Sequence, residues 1–308
     1  MPPILTRTFD ASQPRDWRGF RECVISYPLS DGIVEWKMKS NGAGSDMKRT
    51  TPLQSIVDPF VKGVGGELIS ELVGNESPPS SADYLFRRHN VIAELKALQT
   101  DSFGKPFCRK LGDRMGDWHR DGRLVVYGTT RVESKRLAPE CQNDIFNVMA
   151  GPLQRHVVGD ANSQIKSTKE ILNMPGAKGL LWVASDGNEV LQPNDVWFLL
   201  TRILQKKHEG GEPLFSNIHA LAYFSPRMPV QMSQSKQPAI FWFSGCRQPD
   251  DQRMAACLNE LYTAWPRYVA WAQGIAVRHV DGTPEDLRFL GVPPRMPKIQ
   301  VNYKKVPG

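Results

Sequence analysis

The alternation of apolar and polar positions is clearest at residues 80–99, which read SSADYLFRRHNVIAELKALQ. Two short apolar runs flank the polar stretch 87–90, so the pattern predicts two antiparallel strands joined by a four-residue turn. The length of that turn fixes the register of the pair and places Phe86 opposite Val91. Three charged residues nevertheless interrupt the two apolar runs, and their position in the register needs an explanation.

The predicted register places two acidic side chains opposite each other. Tyr84 faces Ala93, so Asp83 falls opposite Glu94, and Lys96 lies on the same face because side chains alternate along a strand. Opposed residues have Cβ atoms roughly 5 Å apart, where two carboxylates repel each other. Such a pair beside a lysine suits a divalent cation, since Mg²⁺ is commonly held by one or two carboxylates. The alternate residues of the second strand are predicted to point the other way into apolar packing: Val91, Ala93, Leu95 and Ala97.

The hairpin is predicted to lie between a helix and an insertion. Apolar residues recur at helical spacing over 64–73, so a helix is predicted there, ended by Gly74. Residues 100–150 are polar, basic and glycine-rich, and are predicted to form an insertion with a hairpin near 116–130. The stretch 152–174 is predicted to be helical towards its end.

The remaining pattern predicts further strands and helices. The continuous apolar run GLLWVASD is typical of a buried central strand, and a helix is predicted to begin near Pro193. A later helix, or a pair of helices, is interrupted at Pro266. Further strands are predicted at 22–29, 32–39, 218–225 and 239–245, and an extended tail over the last 25 residues. The order of elements predicts an α/β protein, with a mixed sheet that carries helices on its faces.

Composition narrows the classes of protein without choosing one. The chain has 308 residues and a net charge of +7, which is compatible with a polyanionic partner. Its five cysteines show no CxxC spacing, and neither a phosphate loop of the GxxxxGK[ST] type nor a GxSxG elbow is present. No apolar run approaches 18 residues and no secretory signal is evident, so a cytoplasmic protein without membrane contact is expected.

Asp83, followed eleven residues later by Glu94-Leu95-Lys96, resembles the motif of the PD-(D/E)XK nuclease superfamily, which has a restriction-endonuclease-like fold. That family places an acid at the start of one strand and (D/E)-x-K on the next, in a hairpin behind a helix. The resemblance covers roughly residues 60–100, and the later order of helix and strands agrees with it. Ala82 stands where the motif has proline.

The resemblance implies a role for each motif residue. Asp83, Glu94 and the backbone carbonyl of Leu95 would hold Mg²⁺ or Mn²⁺, and Lys96 would position the attacking water. Many members add a glutamate from the preceding helix, and Glu67 and Glu71 both qualify by type, with Glu67 slightly favoured. Other residues are candidates for the rim of the active site or for DNA contacts: Glu71, Gln99, Gln164, Lys166, Lys169 and Arg120.

The resemblance predicts a restriction-endonuclease-like core at 56–250 with three elaborations. These are a strand-rich extension at 1–55, the insertion at about 100–150, and a helical, proline-rich segment at 251–308. The predicted function is a Mg²⁺-dependent nuclease acting on DNA, in restriction, phage defence, repair or mobile-element processing, and a homodimer is compatible with cutting two strands.

Simpler interpretations stay open at each of these sites. The alternative function is a catalytically inactive protein of this fold that binds nucleic acid or assists assembly. The charged hairpin could instead be an edge with a solvated face, where Glu94 and Lys96 neutralise each other. The basic insertion could track phosphates with Trp118 stacking on bases, or be a solvated loop anchored by that tryptophan.

Overall fold

Among the residues that the structure describes, ten strands pair into one mixed sheet, and helices cover both of its faces. The computed structural model describes residues 21–26, 53–74, 80–99, 105–124, 137–187, 191–226, 230–232, 238–273, 278–280 and 287–289. The strands are β1 (Arg21–Ser26), β2 (Glu67–Leu68), β3 (Tyr84–Phe86), β4 (Val91–Leu98), β5 (Lys178–Ser185), β6 (Ala220–Phe224), β7 (Val230–Met232), β8 (Pro238–Cys246), β9 (Arg278–Val280) and β10 (Leu287–Phe289). The helices are α1 (Gln54–Gly63), α2 (Ile69–Val73), α3 (Lys105–Arg120), α4 (Pro139–Leu153), α5 (Asp160–Ile171), α6 (Pro193–Leu204) and α7 (Gln252–Gln273).

From its edge at β2, the sheet has the strand order β2-β3-β4-β5-β6-β8. Strands β4, β5 and β6 are parallel, and α5 and α6 lie in the connections between them. The other neighbours are antiparallel, with β1 on one edge of β8, and β6 and β7 on the other. The prediction of an α/β protein with a mixed sheet flanked by helices is confirmed.

The two faces of the sheet have separate apolar cores. Val91, Ala93 and Leu95 of β4 pack with α1 and α7 on one face. Ile92 and Leu98 pack on the opposite face, where α3, α4, α5 and α6 contribute to the core. The alternation predicted for β4 is therefore confirmed up to Leu95, whereas Ala97 is exposed and not packed as predicted.

The hairpin forms in the predicted register. Phe86 pairs with Val91 and Tyr84 pairs with Ala93. The turn is a single 3₁₀ turn over Arg87–His89, closed by Asn90 in the left-handed conformation with φ of 52°. Asparagine is among the few residues that tolerate this conformation, so the residue type suits the turn.

Two predictions around the hairpin are wrong. The helix predicted over 64–73 is divided, because Glu67–Leu68 pairs with β3 as β2 and only Ile69–Val73 is helical. The hairpin predicted near 116–130 is replaced in its first part by α3, while 125–130 lies outside the described residues. Trp118 is fully buried in that helix and donates its indole N–H to Asp144 at 2.9 Å, so it cannot stack on bases.

Two helices in the later part of the chain contain a proline, Pro152 in α4 and Pro266 in α7. Helix α4 joins α5 through a π-helical turn at Gln154–Gly159, and α7 passes through Pro266 as one helix. The predicted strands at 179–186, 218–225 and 239–245 correspond to β5, β6 and β8, and α6 begins at Pro193 as predicted.

Both ends of the chain contribute strands to the same sheet. The strand predicted at 22–29 corresponds to β1, and the strand predicted at 32–39 lies outside the described residues. The expected C-terminal tail contains β10, which pairs with β7. Within the described ranges, no helix has the length and apolar character needed to cross a bilayer.

Candidate active site

Strands β3 and β4 separate next to Asp83. Their pairing ends at Tyr84 and Ala93, and the next amide of β4 that points towards β3 belongs to Leu95. That amide donates its hydrogen to Oδ2 of Asp83 at 2.8 Å. A side-chain carboxylate therefore takes the position that a backbone carbonyl of β3 would occupy if the strands stayed paired.

Helix α5 holds the chain away from β4 at this point. The backbone N–H of Ala82 donates to the hydroxyl of Thr168 at 2.7 Å, and that hydroxyl donates to the carbonyl of Gln164 at 2.9 Å. The Thr168 hydroxyl thus both accepts and donates a hydrogen bond, and the residue is fully buried. The separation of the strands, and with it the position of Asp83, is fixed by this contact with α5.

Glu94 is buried in the middle of β4, with only 2% of its surface exposed. Its Oε1 lies 2.7 Å from Nζ of Lys96, whereas its buried Oε2 has no hydrogen-bond donor among the residues that the structure describes. Burial, and then the nearby charge of Asp83, raises the pKa of Glu94 to about 8. The carboxyl is therefore largely protonated at neutral pH in the absence of a cation.

Asp83 titrates together with Glu94. Burial raises the pKa of Asp83, while the amide of Leu95 and the charge of Lys96 oppose that rise. The charge of Asp83 is one cause of the raised pKa of Glu94, so without a cation the two carboxyls are not both ionised at neutral pH. Two acids that retain a proton at neutral pH can exchange it for a cation.

Lys96 is held at the same site by two contacts. Besides its contact with Oε1 of Glu94, its ammonium group donates to Oε1 of Gln164 on α5. The amide of Gln164 in turn donates to the carbonyl of Ser81 at 3.2 Å. Gln164 therefore links β4, α5 and the segment before Asp83, and the structure brings this predicted rim residue together with the motif residues.

The residues present suit a magnesium or manganese ion. The candidate donors are the second oxygen of Asp83, the orphaned Oε2 of Glu94 and the carbonyl of Leu95, which points to the same side of β4 as its amide. Oxygen donors of this kind, completed by water, match the preference of Mg²⁺. In the described part of the chain, no three His, Cys, Asp or Glu side chains converge as a ready metal-binding group.

The two glutamates predicted before the hairpin have other partners. Glu67 lies in β2 and pairs with Arg87 across two hydrogen bonds of 2.8 and 3.0 Å. Glu71 lies in α2 and pairs with Lys62 at 2.6 Å on the surface. Both were expected on the helix predicted over 64–73, and this is wrong for Glu67, because the chain changes from strand to helix between the two residues.

The other predicted rim residues are scattered over the molecule. Gln99 donates to Asp186 at 3.1 Å beyond the ends of β4 and β5. Lys169 is buried and bonds to Asn217 rather than to a motif residue. Lys166 is exposed on α5, and Arg120 is exposed on α3 and pairs with Asp117.

Asp58 of α1 is an acid near this site that was not predicted from sequence. It accepts a hydrogen bond of 2.8 Å from the Tyr84 hydroxyl, and its charge contributes to the raised pKa of Asp83. The sequence does contain a signal for the helix that carries Asp58. The apolar residues Val57, Phe60 and Val61 recur at helical spacing, and all three are buried in α1. Pro59 in the middle of that pattern masked it.

The chain matches no protein-family model, no curated protein and no solved structure at a significant level. Its activity therefore has to be inferred from the residues of this site and from the resemblance carried by residues 83–96.

Proposed function

We propose that this protein is a metal-dependent nuclease that hydrolyses phosphodiester bonds in DNA. The observation that carries the proposal is the separation of β3 and β4, which sets the Asp83 carboxylate beside a buried Glu94 whose Oε2 has no donor. The order of elements also supports it, because the β3–β4 hairpin follows a helix, and α5 and the parallel strand β5 come later in the chain, as the resemblance to the PD-(D/E)XK superfamily implies.

The chain's own residues divide the work of hydrolysis. Asp83, Glu94 and the Leu95 carbonyl would hold Mg²⁺ or Mn²⁺, which when bound acidifies a water and offsets charge on the phosphate. Lys96 orients the attacking water and stabilises the negative charge that develops on the phosphate oxygens. Gln164 keeps the Lys96 ammonium in position through the hydrogen bond described above.

DNA is proposed as substrate because it supplies the phosphodiester that this chemistry requires, and because the chain carries a net charge of +7. A basic protein gains affinity for a polyanion by releasing the counterions condensed on it, so binding is expected to weaken as salt rises.

Cleavage of plasmid and linear DNA tests the proposal directly. We expect cleavage with Mg²⁺ or Mn²⁺, none with EDTA, and a loss of about a hundredfold or more for Asp83→Asn and Lys96→Met. Asp113→Asn is the matched control, since Asp113 is exposed on α3. Equal rates for the wild-type protein, the two site variants and the control would reject the assignment.

An inactive DNA-binding protein of the same fold is the second candidate. The observation that favours it is the 2.7 Å contact between Glu94 and Lys96, which engages two of the catalytic groups with each other. Salt-dependent DNA binding without cleavage, and without heat of binding when Mn²⁺ is titrated, would support this candidate over the nuclease.

A further inference from the structure

A cluster of basic side chains gathers at the amino-terminal ends of β5 and β6. Lys169 comes from α5, Lys178 begins β5, His219 immediately precedes β6, and Arg247 immediately follows β8. Hydrogen bonds connect these positions. Asn217 contacts both Lys169 and His219, the amide of Gly179 next to Lys178 donates to the His219 ring, and the backbone N–H of Arg247 donates to the carbonyl of His219 at 2.8 Å. The cluster is separate from Asp83, Glu94 and Lys96.

Lys169 is buried without an acidic partner. It is only 9% exposed, and its ammonium donates to the amide oxygen of Asn217 at 3.1 Å. Burial and the charge of Lys178 both lower the pKa of this ammonium. Lys96 has Glu94 beside it, whereas Lys169 has no carboxylate within 4 Å in the described residues. A buried cation without a counterion is costly, so this position favours an anion from outside the chain.

His219 contributes a neutral ring with one free donor. Its Nδ1 lies 3.0 Å from both the Gly179 amide nitrogen and the Asn217 carbonyl oxygen. A buried backbone N–H is rarely left without an acceptor, whereas a carbonyl more often lacks a donor. We therefore assign Nδ1 as the acceptor of the Gly179 amide hydrogen, which places the ring hydrogen on Nε2. Burial and the surrounding cations lower the pKa of His219 to about 4, so the ring is neutral at pH 7.

The Arg247 side chain is held by hydrogen bonds from one of its nitrogens, and its other donors are unused in the described residues. Its Nη2 donates to the carbonyls of Leu204 at 3.0 Å and Phe215 at 3.4 Å. A guanidinium has five N–H donors, so those on Nε and Nη1 stay without an acceptor in the part of the chain that is described. Arg247 and His219 both line a cavity of about 220 Å³.

Lys169, Lys178 and Arg247 together exceed the two acids that line this cavity by one charge, and of these three cations only Arg247 lines it. Glu212 and Asp251 also line it, and Asp251 lies 3.7 Å from Lys178 while accepting the amide hydrogen of Met254. Asp251 therefore offsets Lys178 but neither Lys169 nor Arg247. The amino terminus of α7 begins beside this cavity at residue 252, and its dipole adds further positive potential.

We propose that Lys169, Lys178, His219 and Arg247 form a binding site for a phosphate group. A tetrahedral anion has enough acceptor lone pairs for the neutral imidazole N–H, the free guanidinium donors and the two ammonium groups. The cavity is large enough for several water-sized groups, and so for one phosphate. The proposal does not depend on cleavage at the Asp83 site.

The phosphate can come from solution or from a nucleic-acid backbone. Lys178 lies five residues along β5 from Val183, the partner of Lys96 in the sheet, which corresponds to about 16 Å of extended strand. One DNA molecule could therefore contact both places. The alternative source is free phosphate or a small phosphorylated molecule, and the two sources make different predictions.

Calorimetric titration of the full chain with inorganic phosphate, at constant ionic strength, is the first test. We expect saturable binding by the wild-type protein and about tenfold weaker binding, or more, by Lys169→Met, since one charge-assisted contact is lost. Lys166→Met is the matched control, because that lysine is exposed on the same helix. Unchanged resistance of Lys169→Met to urea would show that it folds, and Arg247→Lys provides a second variant.

DNA binding in EDTA separates the two sources. If the site takes a backbone phosphate, Lys169→Met weakens DNA binding and inorganic phosphate competes with DNA. If it takes a free phosphate, inorganic phosphate binds while DNA affinity is the same in both proteins. Wild-type protein that binds no phosphate, together with DNA affinity unaffected by Lys169→Met and Arg247→Lys, would overturn the proposal.

Discussion

At the scale of single residues, the charge of Glu94 depends on its neighbours. The folded protein keeps a proton on this carboxyl up to about pH 8, whereas the unfolded chain releases it near the ordinary value of 4.5. Because the folded state binds more protons across that interval, the stability of the metal-free protein falls as pH rises from about 4.5 to 8.

Glu94→Gln should remove this dependence. We expect the unfolding free energy of the wild-type protein, measured with urea in EDTA, to decrease over that interval by at most about 1.4 kcal/mol per pH unit from this group. The amide of the variant imitates the protonated acid, so its stability should change less with pH. A variant whose pH profile matched that of the wild-type protein would contradict the raised pKa.

Residue-level prediction from the sequence succeeded where geometry is local. A four-residue turn and the alternation of side chains were sufficient to place Asp83, Glu94 and Lys96 on one face, since each depends on a neighbour in the same hairpin. Asp58 could not be found in this way. Its approach to Tyr84 depends on how α1 packs over the sheet, which the local pattern does not specify.

At the scale of elements, Thr168 ties α5 to the segment that carries Asp83. Replacing Thr168 with valine keeps the shape but removes the acceptor for the Ala82 amide and the donor to Gln164. We expect a loss of about 1–3 kcal/mol in unfolding free energy, because a buried donor is left unsatisfied.

Urea denaturation of Thr168→Val and Ser163→Ala checks this prediction. Ser163 lies on the same helix, and within the described ranges its exposed hydroxyl bonds only to the carbonyl of Gly159. Its replacement should change stability by no more than about 0.5 kcal/mol. Equal effects of the two substitutions would mean that the Ala82 contact contributes nothing to the fold.

Elements were predicted well where one period dominated the sequence. The continuous apolar run of β5 and the amphipathic pattern of α6 were both recognised. The insertion misled prediction because glycines inside α3 imitate a turn, although the buried faces of α3 and α4 pack on the same core. Tertiary packing outweighed local propensity there.

At the scale of the whole molecule, the sheet joins segments far apart in the chain. Strand β1 pairs with β8 more than two hundred residues later, and β10 pairs with β7. Three-residue strands such as β9 and β10 carry no readable period, so the sequence pattern could not reveal them. Their partners were equally invisible, because pairing at that separation is set only in the folded state.

Substitution of Leu287 tests how much β10 contributes to the free energy of unfolding. Leu287 is fully buried in the core that also contains Val230 of β7, so Leu287→Ala should cost about 2–5 kcal/mol. Leu72→Ala, at a leucine that is 42% exposed, is the control and should cost much less. Similar urea midpoints for the two variants would show that β10 is not needed for the stability of the core.

The amide of Leu95 has a consequence for experiments on this protein. Its hydrogen bonds to a carboxylate where a strand would normally provide a carbonyl, and such a bond strengthens when the carboxylate is ionised. The NMR resonance of this single backbone proton is therefore a built-in reporter of the charge on Asp83. It should respond to pH, to Mg²⁺ and to nucleic acid, even in a variant that turns over nothing.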